Sequence, residues 1–368
     1  RSVGVVTKLL SKEHRQALID ETREEYVKVR ERLAKRQPKA AKLTYAESVK
    51  IGFQYDWENY VPPVPNTLGQ VIFDDYPITN LLPYIDWTPF FISWGLTGKY
   101  PKILQDDVVG EAARDLFANA EDMLQKMIDE KLIVAKGVFK LMPARRTGAD
   151  TVTVYDNDAA FDGGKGGNPT HQFEHLRQQS DKSSGKPNLS LADFISPSDA
   201  YNDYLGGFTV SIVGTEALAE KYKAAGDDYN AIMVQALSDR LAEAFAEHLH
   251  ELIRKDYWGY QPTESLTNDE MIKEKYVGIR PAPGYPACPE HTEKGKLFDW
   301  LGTVDAIGTT LTESYAMWPA SSVSGFYYSH PDSEYFNVGK ISRDQLESYA
   351  ERKGWDMKTA EKWLNPNL

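Results

Sequence analysis

Two helix-period runs lie far apart in this chain, with strand-like runs between and after them in no regular alternation. That pattern constrains the fold more than any other feature. Val108, Val109, Ala112, Leu116, Ala120, Met123, Leu124, Met127 and Ile128 recur at three- to four-residue spacing and predict a helix, with Gly137 just past its end. The longest helix is predicted from about Tyr229 to Tyr257, carrying Met233, Leu237, Leu241, Phe245, Leu249 and Leu252, with Gly259 as its stop. Val138–Met142, Thr151–Tyr155 and Gly207–Val213 read as strands, the last ending at Gly214 with Thr215 as the next helix N-cap. Val323–Ser329 and Tyr335–Ile341 read as a strand pair, and Ser342 with Gln345 as a capping box for the final helices. A doubly wound fold would alternate strand and helix, so the expected class is α+β.

Ahead of these elements, Ser11 can N-cap a charged helix from Lys12 to about Arg36, acidic early and basic late, as the helix dipole favours. Its apolar stripe (Ala17, Leu18, Tyr26, Val29, Leu33) is thin, Pro38 ends it, and Val61-Pro-Pro-Val-Pro65 favours extended chain. Residues 1–60 are therefore read as a helical linker arm and 61–368 as the folded body. The chain opens on Arg1 with no signal-peptide pattern and reads as a piece of a longer polypeptide. Hydrophobic residues make up 41% and aromatics 12%, which excludes a disordered acidic chain. A net charge of −12 argues against generic nucleic-acid binding, and no run approaches the roughly 18 apolar residues of a membrane helix. Cys288 is the only cysteine, so an internal disulfide and a Cys₄ or Cys₂His₂ zinc site are excluded, and a cytoplasmic location is expected.

Several motifs invite chemistry and fail on context. Asp162, Gly164 and Gly166 match the acid-x-Gly-x-Gly pattern of Rossmann-type methyltransferases, which needs an apolar strand before it and a helix N-terminus after it. Asn157-Asp158 precede and Asn168-Pro169 follow, so Gly163–Pro169 reads as a flexible turn. His171 and His175 have i,i+4 spacing without a third ligand, His248 and His250 face apart on a helix, and Cys288 with His291 is an isolated pair. All read as hydrogen-bonded structural groups. Asp239, Glu243, Glu247 and Glu251 form an acidic stripe at i+4 steps, ordinarily a solvated face and alternatively a docking face for a cationic or histidine-bearing partner. Between Ile279 and Lys294, four prolines stiffen an extended loop, Gly284 admits close backbone approach, and Arg280 offers a fork for a carboxylate.

The segment Arg280-Pro-Ala-Pro-Gly-Tyr-Pro-Ala-Cys-Pro-Glu-His-Thr-Glu-Lys294 resembles the S-adenosylmethionine-binding signature of the C-terminal reactivation domain of cobalamin-dependent methionine synthases. Ile85-Asp-Trp-Thr-Pro-Phe-Phe91, Gly98-Lys-Tyr-Pro101, His175-Leu-Arg-Gln-Gln179, Asp239-Arg-Leu-Ala-Glu243, Tyr257-Trp-Gly259, Leu311-Thr-Glu-Ser314 and Val323-Ser-Gly325 are similar to that domain in the same order. Gly163–Thr170 and Asp181–Pro187 depart from it.

The resemblance implies a C-shaped single α+β domain around a twisted antiparallel sheet with flanking helices. It implies that Arg280 binds the carboxylate of S-adenosylmethionine and Asp86 its ammonium group. Ala282, Gly284 and Tyr285 of the loop, with Tyr335 and Phe336, would hold the adenosine and sulfonium end. No catalytic acid or base is implied, since the sulfonium is already a good leaving group and the domain supplies proximity and alignment. The family role is a methyltransferase one: S-adenosylmethionine and one electron from flavodoxin or a similar reductase remethylate an inactive cob(II)alamin. Cobalamin, and the zinc that activates homocysteine, would sit in upstream modules. The cobalamin module of the same polypeptide is the implied partner, with Asp239 and Glu243 as candidate docking residues. A different class of reading also remains, a non-catalytic S-adenosylmethionine-binding module that docks on a separate corrinoid protein.

Overall fold

The computed structural model describes residues 2–36, 43–156, 167–182, 185–198 and 201–368. In chain order its elements open with α1 (Ser2–Leu10), α2 (Arg15–Arg36), α3 (Tyr45–Lys50), β1 (Gly69–Tyr76), α4 (Trp87–Ser93) and α5 (Gly110–Asp129). Next come β2 (Val134–Arg146), β3 (Thr151–Tyr155), β4 (Pro169–Glu174), β5 (Asp203–Val213), α6 (Thr215–Ala224), α7 (Asp228–Leu252) and α8 (Asn268–Ile272). The chain closes with α9 (Glu293–Leu301), α10 (Thr303–Ile307), β6 (Thr310–Leu311), β7 (Met317–Trp318), β8 (Ser322–Tyr327), α11 (Arg343–Lys353) and α12 (Met357–Leu364).

The sheet runs β4-β3-β2-β5-β8, with β1 also on β2, and every pairing is antiparallel. This is the expected α+β class. The strand β5 is buried along almost its whole length, because helices cover both faces. On one face Phe139, Phe208 and Ile212 meet Met127 of α5 and Leu241, Phe245 and Leu249 of α7. On the other, Val138, Leu205 and Phe326 meet Leu297, Trp300 and Leu301 of α9. A smaller cluster joins Leu176 and Val338 to Leu346, Tyr349 and Leu364 of the closing helical hairpin.

Several local expectations are corrected. Gly137 lies inside β2, where a Cβ would come within 3.0 Å of the Phe245 ring, so it is a packing glycine and α5 ends earlier, at Asp129. The charged helix is the single helix α2, which starts at Arg15 rather than Lys12: a turn at 12–14 separates it from the preceding α1, and the Ser11 hydroxyl accepts from the His14 amide in that turn, at 3.3 Å, instead of capping α2. Residues 335–341 form no strand, since β8 already pairs with β5 on one side and is bridged by Ile279 on the other. Gln345 does not complete a capping box. It is fully buried, where its amide oxygen accepts from the Arg177 amide at 2.7 Å and its nitrogen donates to the Arg177 carbonyl at 3.0 Å. Thr215 opens α6 rather than capping it; the cap is Gly214, at φ +100°. Pro38 lies outside the described residues, as do 157–166 of the glycine-rich stretch, but the element next after that stretch is strand β4 and not a helix.

The chain is tied to the body from Thr44 onward. The Tyr45 hydroxyl donates to Asp150 at 2.6 Å, its amide donates to Asp344 at 2.6 Å, and Ser48 is fully buried. A buried ion cluster sits nearby, with Arg177 between Asp150 (2.8 Å) and Asp193 (2.6 Å).

His171 and His175 lie on and just after a strand, not on a helix, and each has its own partner: Asp299 at 3.0 Å and the Tyr328 hydroxyl at 3.1 Å. Burial, helped by Arg352, Lys296 and Lys353, pushes His175 down to about 3. The folded chain thus favours the neutral ring, so this contribution to stability is complete above pH about 6.5 and is lost as pH falls from there toward about 3. Each unit in that window costs about 1.4 kcal/mol. Urea unfolding at pH 7 and pH 5 should show the wild type losing about 2 kcal/mol more than His175→Gln. Equal losses would remove His175 from the acid response.

Candidate functional site

The Ile279–Lys294 loop is held against the sheet before it turns. Ile279 and Tyr328 exchange backbone hydrogen bonds at 3.0 Å each, and the Phe326 amide donates to the Pro281 carbonyl at 2.8 Å. This close approach needs a glycine opposite: a Cβ on Gly325 would sit 2.8 Å from the Pro281 oxygen. The loop is not extended beyond that point. It folds into two tight turns, with Gly284 donating to the Cys288 carbonyl at 2.7 Å and Cys288 to that of Tyr285 at 2.9 Å. Gly284 holds φ +99°, and a Cβ there would strike the His291 ring at 2.5 Å. Tyr285 is left at the tip, 61% exposed, while Ala287 and Cys288 are buried behind it. Glu290 anchors the far end, accepting from the Tyr349 hydroxyl at 3.0 Å and from Lys353 at 3.2 Å.

A groove of about 170 Å³ opens between this loop, α7 and the start of α4. Its walls are Tyr84, Asp86, Arg240, Glu243, Glu247, Met271, Ile272, Glu274 and Arg280. The structure therefore brings Asp86 and Arg280 to one cavity. Asp86 is the N-cap of α4, where one carboxylate oxygen accepts from the Thr88 amide at 2.9 Å. Arg280 meets Glu247 end-on, Nη1 and Nη2 at 2.9 and 2.6 Å, and Nη1 also contacts the Tyr276 hydroxyl (3.2 Å) and His250 Nδ1 (3.1 Å). Burial works against the Arg280 charge, but Tyr276 and Glu247 beside it outweigh that, so the guanidinium stays firmly protonated. Burial, with Arg254 and Arg280 near, drives His250 well below its ordinary range. A neutral ring whose Nδ1 accepts from Arg280 carries its proton on Nε2.

The remaining expected site residues are not among the walls of this groove and take different roles. The Tyr335 hydroxyl accepts from the Arg280 amide at 2.9 Å and lies 3.2 Å from the Tyr276 hydroxyl. Ala282, Gly284 and Tyr285 make the turn itself. Phe336 packs inward, edge-on to Phe194 at 6.4 Å between centroids. The acidic stripe is not one solvated face. Asp239 accepts from the Ser321 hydroxyl at 2.7 Å, Glu243 is exposed, Glu247 is 6% exposed on Arg280, and Glu251 accepts from the Tyr84 hydroxyl and pairs with Lys255.

Sequence reasoning missed Tyr84, Arg240, Met271, Ile272 and Glu274 as groove residues and missed Glu247 as the partner of Arg280. Arg240 and Glu247 had a signal, three apart from and four apart from Glu243 on one helix. Glu274 had none. Its backbone takes φ +55°, and burial raises its carboxyl, opposed by Arg280 and reinforced by Glu247. Among the described residues, no group of three His, Cys, Asp or Glu side chains could hold a metal ion, and no helix is long and apolar enough to cross a membrane.

An antiparallel sheet here holds a proline-rich loop against a groove lined by acid and guanidinium groups. The chain belongs to the family described as vitamin B12 dependent methionine synthase, activation domain, which matches residues 77–354. It is also similar to a solved MetH reactivation domain bound to AdoHcy, with 49% identity and a TM-score of 0.85 over 89% of this chain and 98% of that one.

Gly325→Ala tests the loop seat. A methyl pressed on the Pro281 carbonyl should cost about 1–3 kcal/mol in chemical denaturation and speed exchange of the Ile279 and Phe326 amides. Unchanged stability and exchange would show that the loop is not held there.

Proposed function

We propose that this domain binds S-adenosylmethionine in the Asp86–Arg280 groove and presents its methyl group for reductive remethylation of an oxidised cobalamin. The cobalamin is carried by another module of the same polypeptide, and flavodoxin or a similar reductase supplies the electron. The observation that carries this reading is the convergence of Asp86 and Arg280, distant in sequence, on one groove under the signature loop. AdoHcy bound to the 49% identical reactivation domain supports an S-adenosyl ligand. The residues fit such a ligand. Asp86 keeps its second oxygen for an ammonium group, Arg280 faces a carboxylate, and Tyr285 and Tyr335 flank the loop with aromatic surface for the adenosine and sulfonium end.

When bound, S-adenosylmethionine supplies an activated methyl on a cationic sulfur. This chain's residues then bind and orient it, and Tyr285 at the exposed loop tip marks the face toward a corrinoid. In the same reading the N-terminal arm, with α1 exposing Val5, Val6, Leu9 and Leu10, is the linker to the cobalamin module. Asp239 and Glu243, at the outer end of the acidic stripe, receive its histidine face. Protonated histidine beside carboxylates would bias the assembly toward reactivation. Asp239→Asn with Glu243→Gln should shift the cobalamin spectrum of the full-length enzyme away from that state. A spectrum unchanged across pH would remove both residues from docking.

The direct test mixes the chain with cobalamin-loaded module, reductant and methyl-labelled S-adenosylmethionine. Label should appear on the corrinoid. Binding without label transfer would leave a docking module only. Hydrogen bonds to charged groups contribute about 1.5–3 kcal/mol, so losing the Arg280 fork in Arg280→Lys should weaken S-adenosylmethionine tenfold or more by calorimetry. Lysine keeps a cation beside Glu247, which alanine would leave buried and unpaired. Asp86→Asn should cost less, since its amide oxygen still accepts. Wild-type affinity in Arg280→Lys would place the ligand elsewhere.

A further inference from the structure

The charges lining the groove do not balance around Arg280. Both of its terminal nitrogens are committed to Glu247, and Tyr276 and His250 occupy Nη1 further. To an incoming ligand that ion pair is close to neutral. What remains along the groove is Asp86, Glu243 and Glu274 against one other cation, Arg240. A carboxylate placed among those acids needs a second positive group.

Arg240 is free to serve. Among the described residues its guanidinium has no hydrogen bond or ion pair, and it is half-buried in the groove wall. The helix α7 places Arg240, Glu243 and Glu247 at i, i+3 and i+7, one face of the helix, so the guanidinium shares the face that holds Arg280. An unpaired arginine presents its whole planar fork, which matches a carboxylate with two parallel hydrogen bonds. Arg280, by contrast, keeps only the edge that Glu247 leaves.

We infer that Arg240 is a second binding residue for the carboxylate of the S-adenosyl ligand, acting beside Arg280 and setting the preference for ligands that carry that carboxylate. The inference rests on the ligand reading above. On this arrangement the amino-acid end is gripped by Asp86 at its ammonium and by two guanidinium groups at its carboxylate, one braced by Glu247 and one free.

The test compares S-adenosylmethionine with decarboxylated S-adenosylmethionine, which differs only by the missing carboxylate, in calorimetry on the whole chain. The wild type should bind the decarboxylated compound at least tenfold more weakly. Arg240→Gln should bind S-adenosylmethionine about tenfold more weakly than wild type, yet bind the decarboxylated compound as tightly as wild type does or more tightly. Its thermal melt should move little, because among the described residues Arg240 has no hydrogen bond or ion pair to lose and only acts electrostatically on Tyr285. Equal losses for both ligands, or no loss for either, would overturn the role of Arg240. If only Arg280→Lys changes the discrimination between the two compounds, Arg240 is excluded while the ligand reading stands. If wild type binds neither compound, the ligand reading itself fails.

Discussion

The ion pair between partly buried Arg280 and buried Glu247 fixes the geometry on which the rest of the site depends. Removing one partner of such a pair strands a charge and costs several kcal/mol, whereas the intact pair contributes little net stability against an apolar substitute. Its importance is therefore positional: it fastens the signature loop to α7. One turn further along the same helix, Glu251 accepts from the Tyr84 hydroxyl, and Tyr84 lies two residues before Asp86. Successive turns of α7 thus set the positions of both Arg280 and Asp86. The helix in turn is seated on the sheet by Leu241, Phe245 and Leu249. Gly137 lets the Phe245 ring lie against β2.

The loop has a second set of restraints on its other side. Gly325 allows the Pro281 carbonyl to reach the Phe326 amide, so β8 carries the loop's entry as if it were a short extra strand. Its exit is held by Glu290, which meets Tyr349 and Lys353 of α11. Lys353 also pairs with Glu293 at the start of α9 and lies over the Trp355 ring at 4.6 Å. The closing helical hairpin, remote from the groove in sequence, thereby limits how far the loop can move. Preorganisation of this kind lowers the ordering cost of binding.

Much of this is legible in the sequence, unevenly and for physical reasons. The helices α5 and α7 announce themselves because a helix seated on a sheet must repeat its apolar face every three to four residues. Strands β2, β3 and β5 are visible as apolar, β-branched runs, though β2 extends well beyond its readable centre. Residues 335–341 mimic a strand in composition but find the neighbouring edges taken, a fact of topology that no local window contains. Gly137 misleads because a glycine that ends a helix and one that admits an aromatic ring look alike. The acidic stripe misleads in a similar way. Four acids at i+4 look equivalent, yet the body covers Glu247 and half covers Glu251 while leaving Asp239 and Glu243 outside. Arg280 shows in the pattern, as a fork for a carboxylate on a stiff proline-rich loop, whereas Asp86 comes from family resemblance alone. Glu274 and Arg240 can be found only once the groove exists.

Whether α7 and the signature loop together form the ligand's amino-acid site is best decided by a crystal structure of this chain with S-adenosylhomocysteine. The ligand ammonium should lie beside Asp86 and its carboxylate between Arg280 and Arg240, with the Glu247–Arg280 pair intact. A ligand bound away from this groove, or bound with Arg280 pulled off Glu247, would contradict that arrangement.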